Sequence, residues 1–183
     1  MQTCQRLKAA DNRHKPELDL VPAALAYLAR YSASTAHLRQ VLQRKADRRI
    51  ARLQETKGQE KPDAATVANA IEAAVARAID LGLLDDAEYA ASTARTMRRR
   101  GESRAKIRAR LLSKGLEEEL IAAALNGLEE DEAAAARRYA ERRRLGPHRT
   151  RPGKPDQQQR DIAAMCRAGF PLRIARSVIE GKA

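Results

Sequence analysis

The sequence predicts an all-α protein built from stacked helical repeats. Residues 84–116 contain two short helices with clear start and end signals, and parts of this segment recur on both sides of it. No segment shows the alternation of β-branched and aromatic residues that is typical of a strand. Aromatic residues make up only 3% of the chain, so the core must be built mainly from Ala, Leu, Ile and Val.

The central segment marks its own helix boundaries. Asp85 is suited to cap a helix that Gly101 can end, because glycine readily adopts the left-handed conformation found there. Ser103 is suited to cap the next helix, and Gly115 to end it. A third helix is predicted over 117–126, where three glutamates stand at its positive N-terminal end.

This unit recurs along the chain. At a constant offset of 69 residues, Ser103, Ile107, Leu111 and Lys114 are matched by Ser34, Leu38, Leu42 and Lys45. At an offset of 54, Leu111, Gly115, Leu116, Leu120 and Leu125 are matched by Met165, Gly169, Phe170, Ile174 and Ile179. This second match is looser, because Asp161 falls where Ile107 predicts an apolar residue. Stacked copies would share a core that one copy cannot bury alone; chance similarity among Ala- and Arg-rich helices is the alternative.

Helical patterns also precede the centre. A first helix is predicted from Pro22 to about Arg30, followed by a long second helix that Ser34 caps. The length that exceeds the repeat falls within 46–65. A third helix, capped by Asp63, is predicted to turn a four-residue pattern of apolar residues inward. That pattern comprises Val67, Ile71, Val75, Ile79 and Leu83.

The last part of the chain predicts three more helices. Acidic residues from Glu129 open one that stops at the segment 145–147, and a Pro-rich basic loop covers 147–158. Two further helices are predicted near 159–168 and 172–180.

Composition limits the classes of function. The net charge of +12 favours polyanionic partners, namely nucleic acid, an acidic protein surface or anionic lipid. Cys4 and Cys166 indicate no disulfide framework, and no apolar run suits a signal peptide or a membrane span. These features predict a cytoplasmic protein that does not bind membranes.

Catalysis is not predicted. His14, His37 and His148 are scattered, without a cysteine or carboxylate at ligand spacing. The pair Asp85 and Asp86 is interpreted as a helix cap followed by an exposed acid rather than as a metal site. We therefore expect no catalytic residue, metal or cofactor.

A basic stripe is the strongest functional pattern. The segment from Arg95 to Lys114 contains nine basic residues and one acidic residue. The segment from Glu117 to Glu132 then contains seven acidic residues and no basic one. This density predicts a surface for phosphate or an acidic protein face, with a solvated helix face as the alternative. The predicted contacts are Arg95, Arg98, Arg99, Arg104, Lys106, Arg108, Arg110 and Lys114, with Arg149 and Arg151 in the basic loop. If the stripe is only a solvated face, the alternative contacts are Arg137, Arg138 and the loop 149–154.

Four segments carry a resemblance to a known family. They are Gly82-Leu83-Leu84-Asp85-Asp86-Ala87-Glu88-Tyr89-Ala90, Arg100-Gly101-Glu102-Ser103-Arg104, Leu111-Leu112-Ser113-Lys114-Gly115-Leu116 and Arg167-Ala168-Gly169-Phe170. Over roughly residues 24–180 the chain resembles the RecX family, bacterial regulators of the RecA recombinase. The central motif is fairly specific as a combination, whereas each piece alone is weak.

The resemblance implies both an architecture and a function. It implies three tandem three-helix repeats in an elongated, curved, solenoid-like array, here at 20–84 (with the insertion at 46–65), 85–126 and 129–180. Residues 1–18 are polar and mixed in composition, which predicts a disordered tail. The resemblance also implies a monomer that lies in the groove of the RecA–single-stranded DNA filament, inhibits recombinase, ATPase and co-protease activity, and so acts in DNA recombination, repair and the SOS response.

Two other functions stay open from the residues alone. The paired short helices are superficially similar to a helix-turn-helix, so direct DNA binding is the main alternative. The basic second helix lacks Asn and Gln, which favours phosphate contact over base recognition. An adaptor for another acidic protein is the third hypothesis, and an enzyme ranks last.

Overall fold

The computed structural model describes residues 18–57, 62–129, 131–150 and 156–182. Over these ranges the chain forms α-helices and one short 3₁₀ helix, Gly146–His148, with no strand. The all-α prediction is confirmed. The helices are α1 Val21–Leu28, α2 Thr35–Lys57, α3 Ala64–Asp80, α4 Asp86–Arg99, α5 Arg104–Leu112, α6 Glu118–Asn126, α7 Glu132–Arg143, α8 Gln157–Arg167 and α9 Leu172–Ile179.

The predicted helix caps are confirmed. The side chains of Asp63, Asp85 and Ser103 accept hydrogen bonds from backbone N–H groups three residues later, at 2.6, 2.9 and 3.2 Å. Ser34 caps α2 in the same way, through the N–H of His37 at 3.1 Å. Each contact satisfies one of the N–H groups that a helix start leaves unpaired.

Buried apolar side chains form three clusters, one for each set of three consecutive helices. Leu38, Leu42 and Val75 lie in the cluster of α1–α3. Ile107, Leu111 and Ile121 lie in that of α4–α6, and Met165, Phe170 and Val178 in that of α7–α9. The boundaries of the three repeats stay a prediction, which these clusters support. Leu18, assigned above to the tail, packs in the first cluster; residues 1–17 lie outside the described ranges.

The prediction for α3 is wrong at its C-terminal end. Val67, Ile71 and Val75 are buried, but the Ile79 side chain is 50% exposed and Leu83 lies past the helix, 49% exposed. Four residues advance about 40° beyond a full helical turn, so a strict four-residue pattern rotates out of the core. Ala74 and Ala78 take the buried positions instead.

Asp161 fills the apolar position that the repeat predicted, and it is 3% exposed. Its carboxylate accepts hydrogen bonds from the Gly146 N–H at 2.9 Å, from Arg149 at 2.6 Å and from Gln157 at 2.9 Å. Burial acts to raise the pKa of Asp161, but these bonds outweigh it and hold the pKa below its usual range. A buried acid is tolerated here because its oxygens are satisfied.

The three groups of helices meet at two joints, and the same kind of hydrogen bond occurs at each. At the first joint, between the groups α1–α3 and α4–α6, the Ser34 hydroxyl donates to the Lys114 carbonyl at 2.5 Å. At the second joint, between α4–α6 and α7–α9, the Ser103 hydroxyl donates to the Ala168 carbonyl at 2.6 Å. These residues are the pairs that the offsets of 69 and 54 relate, so the sequence repeat corresponds to a repeated contact.

A second contact also recurs at the joints. The Thr35 N–H donates to the Asp86 carboxylate at 2.7 Å, and the Arg104 N–H donates to the Glu132 carboxylate at 3.0 Å. In each case the first residue of a group's middle helix bonds the first residue of the next group's first helix. Two helix starts are thereby joined, and the carboxylate lies where the helix dipole favours negative charge.

Glycine is required where the backbones approach at the joints. Gly115 has φ +72°, and an added Cβ would lie 2.5 Å from the Ala36 Cβ. Gly169 has φ +91°, and its Cβ would lie 2.6 Å from the Ser103 hydroxyl oxygen. Both positions need the left-handed conformation and the absence of a side chain.

We predict that Gly115→Ala destabilises the protein more than Gly82→Ala. Gly82 also has a positive φ, +66°, but an added Cβ there meets nothing within 4 Å. Gly82→Ala should therefore carry only the left-handed strain of about 1–2 kcal/mol, and Gly115→Ala a further cost of about 1–3 kcal/mol from overpacking. Urea unfolding measures both, and equal losses would contradict the close approach at the first joint.

We predict that Ile107→Ala lowers the free energy of unfolding by roughly 2–5 kcal/mol, as expected for a fully buried large side chain. Ile79→Ala removes the same atoms from a half-exposed position and should cost less than about 1 kcal/mol. Thermal or urea denaturation of the two variants compares them directly. Similar losses would show that α5 is not packed as described.

Candidate partner-binding surface

Most of the predicted basic stripe is paired with carboxylates from other turns or helices. Arg95 on α4 contacts Glu88 at 2.9 Å. On α5, Lys106 contacts Glu102 at 2.8 Å, and Arg108 makes two hydrogen bonds of 2.8 Å to Glu118 on α6. The sequence shows few acids beside the stripe, but the fold brings carboxylates to it from other turns and helices.

Arg98 is not available to a partner. The side chain is 3% exposed and donates to the Glu132 carboxylate at 2.7 Å and to the Glu102 carbonyl at 3.3 Å. Arg98 thus connects α4 to the start of α7, and the prediction that it contacts a partner loses its support. Glu132 also lies 4.0 Å from the partly exposed Arg104 guanidinium.

Cations from two different helices contact the Glu102 carboxylate. Lys106 contacts one of its oxygens at 2.8 Å and Arg142 on α7 the other at 3.1 Å. Burial acts to raise the pKa of Glu102, but hydrogen bonds from Lys106 and Arg142 outweigh it and hold that pKa below its usual value. Lys106 is consequently neutralised at the second joint.

A few predicted contacts keep an unpaired charge. Among the described residues, Arg99, Arg110 and Lys114 form no ion pair with a carboxylate, and the Arg99 guanidinium bonds only the Thr96 hydroxyl, at 3.3 Å. Arg99 and Arg110 are exposed, and Lys114 is half-buried at the first joint. These three side chains are the part of the stripe best placed to bind an anion.

The basic loop contributes less than the sequence predicts. Arg149 bonds both oxygens of the buried Asp161, at 2.6 and 2.8 Å, and only 28% of its side chain is exposed. Its role in the structure is to neutralise Asp161, so the expectation that it faces a partner loses its support. Arg151 lies outside the described residues.

The sequence prediction missed His37 and Arg44, which join the unpaired side of the stripe. The His37 Nε2 lies 3.3 Å from the Lys114 Nζ across the first joint. Burial and the charges of Lys114 and Arg44 lower the pKa of His37. The repeat offset contained a hint, since His37 stands 69 residues before Lys106, at the same distance from a capping serine.

The described residues were also compared with what a metal site and a membrane span require. There, no three side chains of His, Cys, Asp or Glu are grouped so that they could hold a metal ion. None of the helices that could be searched combines the length and apolar character needed to cross a bilayer.

Comparison with known proteins places this arrangement in one family. The family model described as RecX, second three-helix domain, matches residues 85–125. The regulatory protein RecX of Myxococcus xanthus (strain DK1622) is 40% identical over 161 residues, which cover 86% of this chain and 82% of that protein. The regulatory protein RecX of Chlorobaculum tepidum is 38% identical over 109 residues, 58% of this chain and 64% of that protein.

A solved structure has the same kind of fold. The crystal structure of a regulatory protein RecX aligns with a TM-score of 0.56 over 86% of this chain and 68% of that one, at 23% identity. The likeness supports the all-helical architecture.

We predict that Glu132→Ala is far more costly than Glu118→Ala. Both glutamates are the first residue of a helix and both bind an arginine, so the helix-dipole loss is matched. Removing Glu132 leaves Arg98 buried without its counter-ion, at a cost of roughly 3–5 kcal/mol. The exposed Glu118 pair should contribute less than about 1 kcal/mol.

Chemical denaturation in low salt measures both variants. An equal and small effect would show that Arg98 reaches solvent and is free to bind a partner.

Proposed function

Because the chain belongs to the RecX family of regulatory proteins, we propose that it binds the filament of RecA on single-stranded DNA and inhibits its recombinase, ATPase and co-protease activities. The observation that carries this proposal is the 40% identity to a named regulator over 82% of that protein's length. The proposed partner joins protein and DNA in one assembly. It therefore offers both acidic side chains and phosphates to a basic surface.

The paired charges support a partner of mixed sign. Arg95 and Arg108 are about half exposed, and each contacts an exposed carboxylate. Exposed ion pairs are weak, so a partner surface can exchange these contacts for its own at little cost. Such a surface favours orientation and specificity more than raw affinity.

Direct binding to DNA is the second candidate. Helix α5 carries Arg104, Lys106, Arg108 and Arg110 on nine residues and has no Asn or Gln. Arg and Lys on such a helix suit phosphate contacts, which position a protein on DNA without reading sequence. This role is compatible with filament binding, because the filament contains single-stranded DNA.

We propose regulation through binding rather than chemistry, by a monomer in the cytoplasm. Histidines provide no candidate general base in the described part of the chain, since His37 faces Lys114 and His148 lies on the surface. The positive surface gives the protein a means of reaching an anionic assembly by electrostatic steering.

We predict that purified protein slows RecA-dependent ATP hydrolysis on single-stranded DNA in proportion to its concentration. The double variant Arg99→Gln/Arg108→Gln should weaken both filament binding and inhibition, because it removes charge from the exposed faces of α4 and α5. Arg173→Gln/Arg176→Gln removes the same net charge from exposed positions on α9 and serves as the control. Circular dichroism confirms that both variants remain helical.

The salt dependence of filament affinity distinguishes contacts with DNA phosphates from contacts with acidic side chains of the protein. If the lost contacts are phosphates, the slope of log affinity against log salt should fall by about one for each contact removed. Equal losses in the two double variants would contradict the assignment of this surface. No inhibition by the unmodified protein at an excess over filament sites would contradict the proposed function itself.

A further inference from the structure

Four basic side chains converge at the first joint. His37 and Arg44 come from α2, Arg110 comes from α5, and Lys114 follows the end of α5. The Lys114 Nζ lies 3.3 Å from the His37 Nε2, a distance at which two protonated groups would repel strongly. The Lys114 backbone is held at this joint, because its carbonyl accepts a hydrogen bond from the Ser34 hydroxyl at 2.5 Å.

No acid balances this cluster in the described chain. Arg44, Arg110 and Lys114 form no ion pair with any carboxylate of the described ranges. Burial and the charges of Arg110 and Arg44 lower the pKa of Lys114, and burial with Lys114 and Arg44 lowers that of His37. The neighbouring cations therefore make the charged forms of His37 and Lys114 less stable, and an anion bound among them would relieve both.

The second joint shows that the fold alone does not impose this cluster. By the same offsets, Lys106 stands in place of His37, and Glu102 neutralises it at 2.8 Å. Three residues without charge replace the other cations. They are Ser113 for Arg44, Ala164 for Arg110 and Ala168 for Lys114. The two joints have equivalent backbone contacts. The first has a positive cluster without a carboxylate partner in the described chain, and the second has a cation that Glu102 neutralises.

Aromatic rings extend the cluster on the α1 side. The Tyr27 and Tyr31 ring centroids are 5.2 Å apart, and the Tyr27 and His37 rings meet edge to face at 6.5 Å. Tyr31 is 58% exposed, although the chain has only four tyrosines, one phenylalanine and no tryptophan. At the second joint Thr96 and Arg100 occupy the positions of Tyr27 and Tyr31, so no aromatic row continues there.

We propose that the first joint is a binding site for single-stranded DNA, in which His37, Arg44, Arg110 and Lys114 hold a backbone phosphate and Tyr31 stacks on an adjoining base. Proteins that bind single strands without sequence preference combine cations along the nucleic-acid backbone with exposed aromatic rings on which bases stack. Unpaired bases are required for stacking on Tyr31, so the site favours a single strand over a duplex. The site involves no RecA contact, so it can fail while the proposed function stands.

Binding at this site should take up a proton. In the free protein burial and Lys114 lower the pKa of His37, whereas a phosphate between the two side chains would stabilise the imidazolium. The groups facing His37 are Lys114 and Arg110 from the α5 side, Arg44 and Gln40 on α2, and Tyr27 on α1. Because the bound state has the higher His37 pKa, affinity should rise as pH falls, by at most about tenfold per pH unit for one proton.

The test follows the His37 imidazole by NMR in the full chain at low salt. His37→Gln assigns its resonance against His14 and His148. The pKa of His37 should lie below its ordinary value in the free protein and rise when a thymidine oligonucleotide of roughly twelve nucleotides is added. Binding that leaves the His37 resonance and pKa unchanged, or no binding at low salt, overturns the site.

Matched variants give a second readout. His37→Gln should remove the pH dependence of oligonucleotide affinity measured by fluorescence anisotropy between about pH 5 and 8. Lys114→Gln should weaken binding across that range but keep a pH dependence, because His37 remains. Arg173→Gln, the control at an exposed position on α9, should keep it. Tyr31→Ala should weaken binding to the thymidine oligomer but not to an abasic strand of equal length. Equal affinity for a duplex of that length, or loss of pH dependence in the control, overturns the proposal.

Discussion

The fold depends on one serine hydroxyl at each joint that serves two groups of helices at once. Ser34 and Ser103 each accept a bond from the N–H three residues later in their own helix and donate to a carbonyl of the next group. Both residues are fully buried, so neither contact can be exchanged for water. This double use fixes where the glycine that follows each carbonyl must lie, and therefore how closely the backbones pack.

The two joints have the same serine-to-carbonyl hydrogen bond but differ in the charged side chains around it. The second joint surrounds its serine with the Arg98–Glu132 and Glu102–Lys106 ion pairs, so it is locked by opposite charges. The first joint places Lys114 beside His37 with no carboxylate in the described chain to balance them. Paired charges at a joint contribute to stability, whereas cations without a carboxylate partner can attract an anion. The repeat thus separates structural from functional demands between two copies of one interface.

Local chemistry explains which features the sequence could predict. Caps at Ser34, Asp63, Asp85 and Ser103 depend on residues within one turn, and all were predicted. The inward position of Ile79 was wrong because a four-residue pattern drifts around a helix. Ion pairs were not predicted, because Arg98 lies 34 residues from Glu132 and Arg108 lies 10 from Glu118. Only the folded chain shows which basic residues remain without a counter-ion.

The acidic segment at 117–132 has another role than its composition indicated. Glu118 neutralises Arg108, Asp131 caps α7 through the Ala134 N–H, and Glu132 neutralises Arg98. These acids are engaged inside the molecule, so the alternation of charge along the chain is weaker at the surface. Because Lys106 and Arg108 on α5 are already paired with Glu102 and Glu118, the net attraction for a polyanion comes from cations outside such pairs. Three of those cations, Arg44, Arg110 and Lys114, lie close together at the first joint.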